Sequence, residues 1–178
     1  SIYTSAMVAA SLDLPINQNL GFAALVPYGG DCQFQIMTKG LTQLAIRSGQ
    51  YMRINNAVVY DGQLISEDPF RGEYEFDYKA KKSDNVIGYM AYFKTIGGFE
   101  KYFYMSKEDM LKHGQKYSKS FGKKNKYGEY TSLWQTDEDS MGLKTVLKLL
   151  LSKFGILSIE MQRAIKFDQA VIKGDFNN

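Results

Sequence analysis

This chain is short of the side chains most enzymes rely on: one cysteine and one histidine among 178 residues. Cys32 alone rules out an internal disulfide framework and suits a reducing compartment. It reads as a small residue, buried or half-buried on a strand. One Cys with one His leaves no zinc site by spacing. No G-x-S-x-G element occurs, and Ser–His–acid chemistry would have to be built on His113. That histidine lies in a lysine-rich segment where neighbouring cations compete with a proton, so a structural or solvated role is expected. The phosphate cradle G-x-x-x-x-G-K-[ST] is missing too: Gly122-Lys123 lacks the upstream glycine and the following Ser or Thr. A nucleotide-driven motor is thereby excluded. There is no run of about eighteen apolar residues, so no membrane span is indicated. The opening SIYTSAMVAAS lacks the charged start and long apolar run of a signal peptide, and reads as if it begins inside a helix. A trimmed core of a longer protein is the expectation.

What the chain does have is enough apolar content for a core, at 44% hydrophobic, and a length suited to one domain. Its net charge of +3 is modest, but the distribution is uneven. Acids gather in SEDPFRGEYEFDY (66–78) and TDEDS (136–140), while the charge of 107–126 is mostly lysine. A dipolar domain of this kind can hold an anionic polymer on one face and meet a neighbouring copy through another.

The pattern predicts helices and antiparallel strands. Ser5 to Leu14 reads as a helix stopped by Pro15, and Gly21–Pro27 with Cys32–Met37 as a hairpin around Tyr28-Gly29-Gly30-Asp31. Thr38 is the expected N-cap of a helix over Lys39–Ser48, closed by Gly49. A sheet follows: Tyr51–Tyr60, a short partner at Gln63–Ser66 across Asp61-Gly62, then Glu73–Lys79 with Tyr74, Phe76 and Tyr78 on one face. Val86–Thr95 and Phe99–Met105 flank Gly97-Gly98. Ser106 to Asp109 resembles a capping box that opens a helix to His113 or Lys116. A glycine-punctuated loop (Gly114, Gly122, Gly128) precedes a long helix over Asp137–Phe154 and, capped by Ser158, a last helix to Asp168. The fold class expected is α+β: a curved antiparallel sheet of four or five strands, with hairpins, packed against helices. No internal repeat or low-complexity tract occurs.

Two segments carry the functional reading. In KEDMLKHGQKYSKSFGKKNKYGEY, seven lysines (Lys107, Lys112, Lys116, Lys119, Lys123, Lys124 and Lys126) are interleaved with Tyr117, Phe121, Tyr127 and Tyr130. Positive charge with rings between is what holding a phosphate backbone and touching bases requires. Next, WQTDEDSMGLKTVLKLLLSKFGILSIEMQRAI places Lys144 and Lys148 four residues apart, one turn of helix. Lys39, Gln43 and Arg47 fall at four-residue steps on an earlier helix. The candidate DNA contacts are therefore Lys39, Gln43, Arg47 and Arg53, then Lys116, Lys119, Lys123, Lys124 and Lys126, then Trp134, Lys144 and Lys148. Plainer alternatives stand beside them: Arg47 as a helix C-terminal partner and Trp134 as core; Lys153, outside the set, reads as a solvent-side dipole partner. Asp137, Glu138 and Asp139 could hold a hard cation for nuclease chemistry, but acids at a helix N-terminus are better read as dipole and cap partners. No catalytic residue, metal site or cofactor is expected.

The motif W…D…M…KTVLK..LSK.GILS.EMQ.A resembles the closing motif of the RecT family, the phage-type single-strand annealing proteins. A second block, SAMVAASLDLPINQNLGFAALVPYGG followed by FQIMTKGLTQLAIRSGQY, resembles the family's L-x-L-P, V-P-[FY] and LA-x-R-[ST]-G-Q run. Together they cover most of the chain, and the lysine-rich centre matches loosely. The resemblance implies one annealing core over residues 1–170, with 171–178 beginning a linker. It implies DNA held in a positive groove between the sheet with its hairpin and the helical part. Arg47, Lys144 and Lys148 then fall at basic positions of the two motifs, and Gln50 and Tyr51 within the first. It further implies ATP-independent annealing in recombination, and single-stranded DNA and the annealed duplex intermediate as ligands. Rings or helical filaments of the protein are implied as well, as are contacts to an exonuclease and to the host single-strand binding protein through segments absent here. The location implied is the cytoplasm of a bacterium or phage-infected cell. The alternative is a passive single-strand binding or protective module that does not anneal.

Overall fold

The computed structural model describes residues 1–168; the tail 171–178, read above as a linker, lies outside the described residues. Two compact units are distinguished, Ser1–Tyr51 with the segment from Gly155 onward, and Met52–Phe154. Both mix helices with antiparallel strands, as the α+β reading requires.

The first unit holds helix α1 (Ile2–Ser11), strands β1 (Ala23–Tyr28) and β2 (Asp31–Ile36), helix α2 (Thr38–Arg47) and helix α6 (Ile159–Phe167). The hairpin pairs Tyr28 with Asp31, so Gly29 and Gly30 alone make the turn, both at positive φ. A two-residue turn of that hand matches the twist of the flanking strands, and glycine adopts it without a Cβ penalty. Phe34, Ile36, Leu41, Leu44, Ala45, Met161 and Ala164 form the buried centre. α1 runs earlier than expected because Ser1 and Ser5 pin it to the hairpin. Cys32 N–H donates to Ser1 Oγ and Ser5 Oγ donates to the Cys32 carbonyl, each at 3.0 Å. Met7 is exposed together with Ile2 and Tyr3. α2 begins one residue early, with Met37 rather than Thr38 at the cap.

In the second unit, β3 (Tyr51–Tyr60), β6 (Val86–Thr95) and β7 (Glu100–Ser106) form a sheet in the order β3-β6-β7. β6 and β7 are antiparallel, in register from Gly88 opposite Ser106 to Lys94 opposite Glu100. Strands β4 (Leu64–Asp68) and β5 (Glu73–Phe76) make a separate antiparallel ribbon. The expected pairing of 63–66 with β3 is therefore corrected, as is the single sheet of four or five strands. Gln63 explains part of it: its buried amide accepts from Tyr60 N–H and donates to the Tyr78 carbonyl, turning the chain away from β3. Ring packing supplies the rest. Tyr74 and Phe76 set their rings 5.9–6.0 Å from those of Tyr102 and Tyr104 on β7. On the opposite face, Tyr89, Ala91 and Phe93 are fully buried where helix α5 (Glu138–Phe154) lies across β6 and β7. Its Met141, Val146, Leu147, Leu150 and Leu151 complete that core.

Helix α3 (Lys107–Tyr117) opens on Ser106, whose hydroxyl accepts from Asp109 N–H and donates to the Asp109 carboxylate at 2.9 Å, so Ser106 is the N-cap as expected. Gly114, read above with the glycine-punctuated loop, lies inside the helix, which runs close to the later of the two expected ends. The Trp134 ring from helix α4 (Leu133–Thr136) occupies the space a Cβ would need. Between α3 and α4 the lysine-rich loop closes on itself. Lys124 bridges Tyr130, Asn125 N–H donates to the Glu129 carbonyl, and Thr131 N–H donates to the Lys123 carbonyl.

Candidate nucleic-acid interface

The candidates are divided between the two units. In the first, Lys39 projects into solvent from the first turn of α2 and Gln43 is half-buried one turn further on. Arg47 is held by the protein itself: its guanidinium donates to the carbonyls of Leu12 and Asp13, both at 2.8 Å, and stands 3.6 Å from the Asp13 carboxylate. It thereby closes the turn after α1 rather than capping its own helix. Gln50 is exposed. Tyr51 donates its hydroxyl to the Ile156 carbonyl at 2.9 Å, and burial raises its pKa despite that bond.

The second unit carries most of the positive charge. Lys116, Lys119, Lys123, Lys124 and Lys126 are all exposed. Three of them lie over rings: Lys116 over Tyr117 at 5.1 Å, Lys124 over Tyr130 at 4.5 Å and Lys126 over Tyr127 at 4.9 Å. Tyr127 and Tyr130 are themselves exposed, so each cation comes with an accessible aromatic face, the pairing that single-strand binding exploits. Arg53 is exposed on β3, and its charge acts on Tyr92, the residue opposite Tyr102. The Tyr92 hydroxyl donates to Glu100 at 2.7 Å, and chiefly through that bond its pKa is pushed up to about 12.

Two candidates lie inside in this conformation. Trp134 is 5% exposed, with its ring against Gly114 and 6.1 Å from Phe121. Lys144 is 4% exposed, its position on α5 carrying the alkyl stem inward. Lys148, one turn on, is half-buried. Spacing along α5 gives Lys144 and Lys148 one side of the helix but does not say how deep that side sits.

The carboxylates at 137–139 have partners. Asp137 accepts from Ser140 N–H, Glu138 lies 3.5 Å from Lys107, and Tyr89 donates to both Asp139 (2.8 Å) and Glu138 (3.3 Å). Burial and these two acids hold the Tyr89 hydroxyl far above its ordinary pKa. Among the described residues no group of three or more His, Cys, Asp or Glu side chains is placed to hold a metal ion. No described helix is long and apolar enough to cross a membrane.

Two residues outside the candidate set have charged or aromatic neighbours in the second unit. Lys153, taken as a solvent-side helix partner, stands 5.3 Å from the Phe103 ring of β7. His113 is half-buried on α3, and burial, then Lys148, Lys153 and Lys116, lower its pKa. No spacing along either helix signals this, because Lys148 and Lys153 lie on α5 while His113 and Lys116 lie on α3.

An α+β fold that exposes lysines beside rings has the chemistry that polyanion binding calls for. The match to known proteins is more specific. The RecT family model fits residues 1–178, the whole chain, and the chain belongs to that family. An uncharacterized protein of Bacillus subtilis (strain 168), YqaK, is 51% identical over 166 residues, 93% of this chain and 55% of that protein. The chain thus spans about half the length of the curated relative it matches.

Proposed function

We propose that this chain is the single-stranded DNA binding and annealing core of a RecT-type recombination protein, working without ATP. The observation that supports it most is the exposed set Lys116, Lys119, Lys123, Lys124 and Lys126 with Tyr117, Tyr127 and Tyr130 among them. Cations that track phosphates, with rings available to bases, hold a strand without reading its sequence. Annealing further requires that base edges stay free to pair while phosphate repulsion is neutralised. Exposed, flexible ammoniums satisfy that better than a deep base pocket. Lys39, Gln43, Gln50 and Arg53 extend the contact surface within their own units, Lys148 adds a cation on α5, and Arg47, Tyr51, Trp134 and Lys144 act by holding their elements in place.

A unit this small covers few nucleotides, so copies assemble side by side on the strand, as a ring or helical filament. The exposed apolar side chains of α1 (Ile2, Tyr3 and Met7) and the acidic β4–β5 ribbon, with Phe70 fully exposed at its tip, are the surfaces proposed for those contacts. Contacts to an exonuclease and to a host single-strand binding protein are assigned to segments beyond this chain, and its place of action to the bacterial or phage-infected cytoplasm.

The test adds two complementary long oligonucleotides in turn to the protein, with neither ATP nor magnesium, and follows pairing by fluorescence. Pairing faster than in buffer, with protein retained on the product, is the expected result. Binding without faster pairing would make this a passive single-strand holder. Cleavage on adding magnesium would point instead to nuclease chemistry.

A further inference from the structure

Outside the lysine-rich loop, the second unit repeats the pairing of cation and ring in the short turn that follows β5. Tyr78–Ala80 form a single 3₁₀ turn, and Tyr78, Lys79, Lys81 and Lys82 are all exposed, Tyr78 at 87%. The backbone of this turn is anchored on the segment after β3. Lys82 N–H donates to the Asp61 carbonyl at 2.8 Å, and Asp61 N–H to the Asn85 carbonyl at 2.9 Å. The buried Gln63 amide donates to the Tyr78 carbonyl at 3.0 Å, while Asp77 N–H donates to the Gln63 carbonyl at 2.9 Å. Gly62, at positive φ, lets the two segments close: a Cβ there would run into the Ala80 carbonyl oxygen and the Lys82 side chain. Of the acids that border the turn, Asp61 is half-buried and the Asp77 carboxylate accepts from Lys79 N–H at 2.8 Å. Asp84 pairs with Lys81 at 2.7 Å, and Lys81 Nζ stands 3.7 Å from the centre of the Tyr60 ring. Lys81 is thus fixed between a carboxylate and a ring, whereas Lys79 and Lys82 have no carboxylate partner among the described residues.

We propose that Tyr78, Lys79 and Lys82 form a second contact for single-stranded DNA, built separately from the loop at 116–130. The inference rests on the reading above that the chain binds single-stranded DNA. The two ammoniums take backbone phosphates, and the open face of the Tyr78 ring takes a base. An acidic peptide would use the ammoniums alone, whereas a nucleotide strand has a π-face for the ring as well, so the pairing of groups fits a strand better. Because the turn is anchored through Gln63 and Asp61, its backbone has little freedom left to lose when a strand arrives, and each contact costs less ordering. Stacking on a ring leaves the hydrogen-bonding edges of a base free, and phosphate contacts read no sequence. Both properties suit a strand that is to pair with its complement.

The experiment measures the affinity of the intact chain by fluorescence anisotropy, over a series of salt concentrations, for oligo-dT and for an abasic strand of the same length. Lys79→Ala combined with Lys82→Ala should flatten the dependence of log affinity on log salt by roughly 1.4, two phosphate contacts on a single strand. Tyr78→Leu should weaken oligo-dT binding about fivefold or more and leave the abasic strand unaffected, while Tyr78→Phe keeps the wild-type affinity. Photocrosslinking of the wild type to a strand carrying 5-iodouracil, read by mass spectrometry, needs no substitution and decides the matter if a variant folds poorly. Crosslinks at Tyr78 are expected there. An unchanged salt slope in the double variant, equal weakening of both strands by Tyr78→Leu, or crosslinks confined to 116–130 would overturn the second contact while leaving DNA binding intact. Lysines needed for binding poly-glutamate but not oligo-dT would assign the turn to an acidic partner and overturn it too. A wild type that binds neither strand would overturn this contact and the DNA-binding reading together.

Discussion

Tyr89 donates its hydroxyl to Asp139 at 2.8 Å while its buried ring lies against Gly142, three residues further along α5. The two contacts set the closeness of the long helix to β6, one through the acid and one through the missing side chain. A methyl at 142 would stand 2.7 Å from three ring carbons. In an exposed helix interior Gly→Ala gains about 1 kcal/mol, but here overpacking of about 1–3 kcal/mol opposes it. Gly142→Ala is therefore expected to lower stability in urea unfolding, and a gain would show that the Tyr89 ring yields.

Trp134, the one tryptophan, gives a direct optical test of its place. Buried against Gly114, it should emit at short wavelength and be little quenched by added oligo-dT. Strong quenching or a shift on saturation with DNA would put the ring in the interface after all.

Lys148 and Lys144 should separate on single substitution. Lys148→Ala is expected to keep the fold and to flatten the dependence of log affinity on log salt by roughly 0.7 for one phosphate contact on a single strand. Lys144→Ala removes a side chain 4% exposed and should show first as a lower unfolding midpoint. An unchanged salt slope for a folded Lys148→Ala would remove that residue from the contact set.

Arg47→Ala should destabilise by about 1–3 kcal/mol through the loss of two charged hydrogen bonds to the turn after α1. Lysine at this position cannot donate to both carbonyls in the same fork and should recover only part of the loss. Full stability of Arg47→Ala in thermal unfolding would make this bond pair superficial and return the guanidinium to the candidate DNA contacts.

The elements were legible where local rules act alone. Tyr51–Tyr60 and Val86–Thr95 were bounded to the residue by their β-forming composition and the turns beside them. Ser106 and Ser158 were readable as caps because a cap is satisfied within its own first turn. Strand partnership was not, since β4 chose β5 over β3 through Gln63 and through rings that meet across distant parts of the chain. Gly114 was misread for a similar reason: a glycine normally stops a helix, yet here it makes room for Trp134.

The amino-acid sequence by itself determined the fold class, the basic and aromatic composition of 116–130, and, through its two motifs, the family. These depend on residue type and spacing, which are local properties of the chain. Only the tertiary structure decided which cations face water and which lie inside, so that Lys144 and Lys148, alike in sequence, part company. Burial and charge proximity depend on which helix faces lie against which strands, and no spacing rule along one element contains that information.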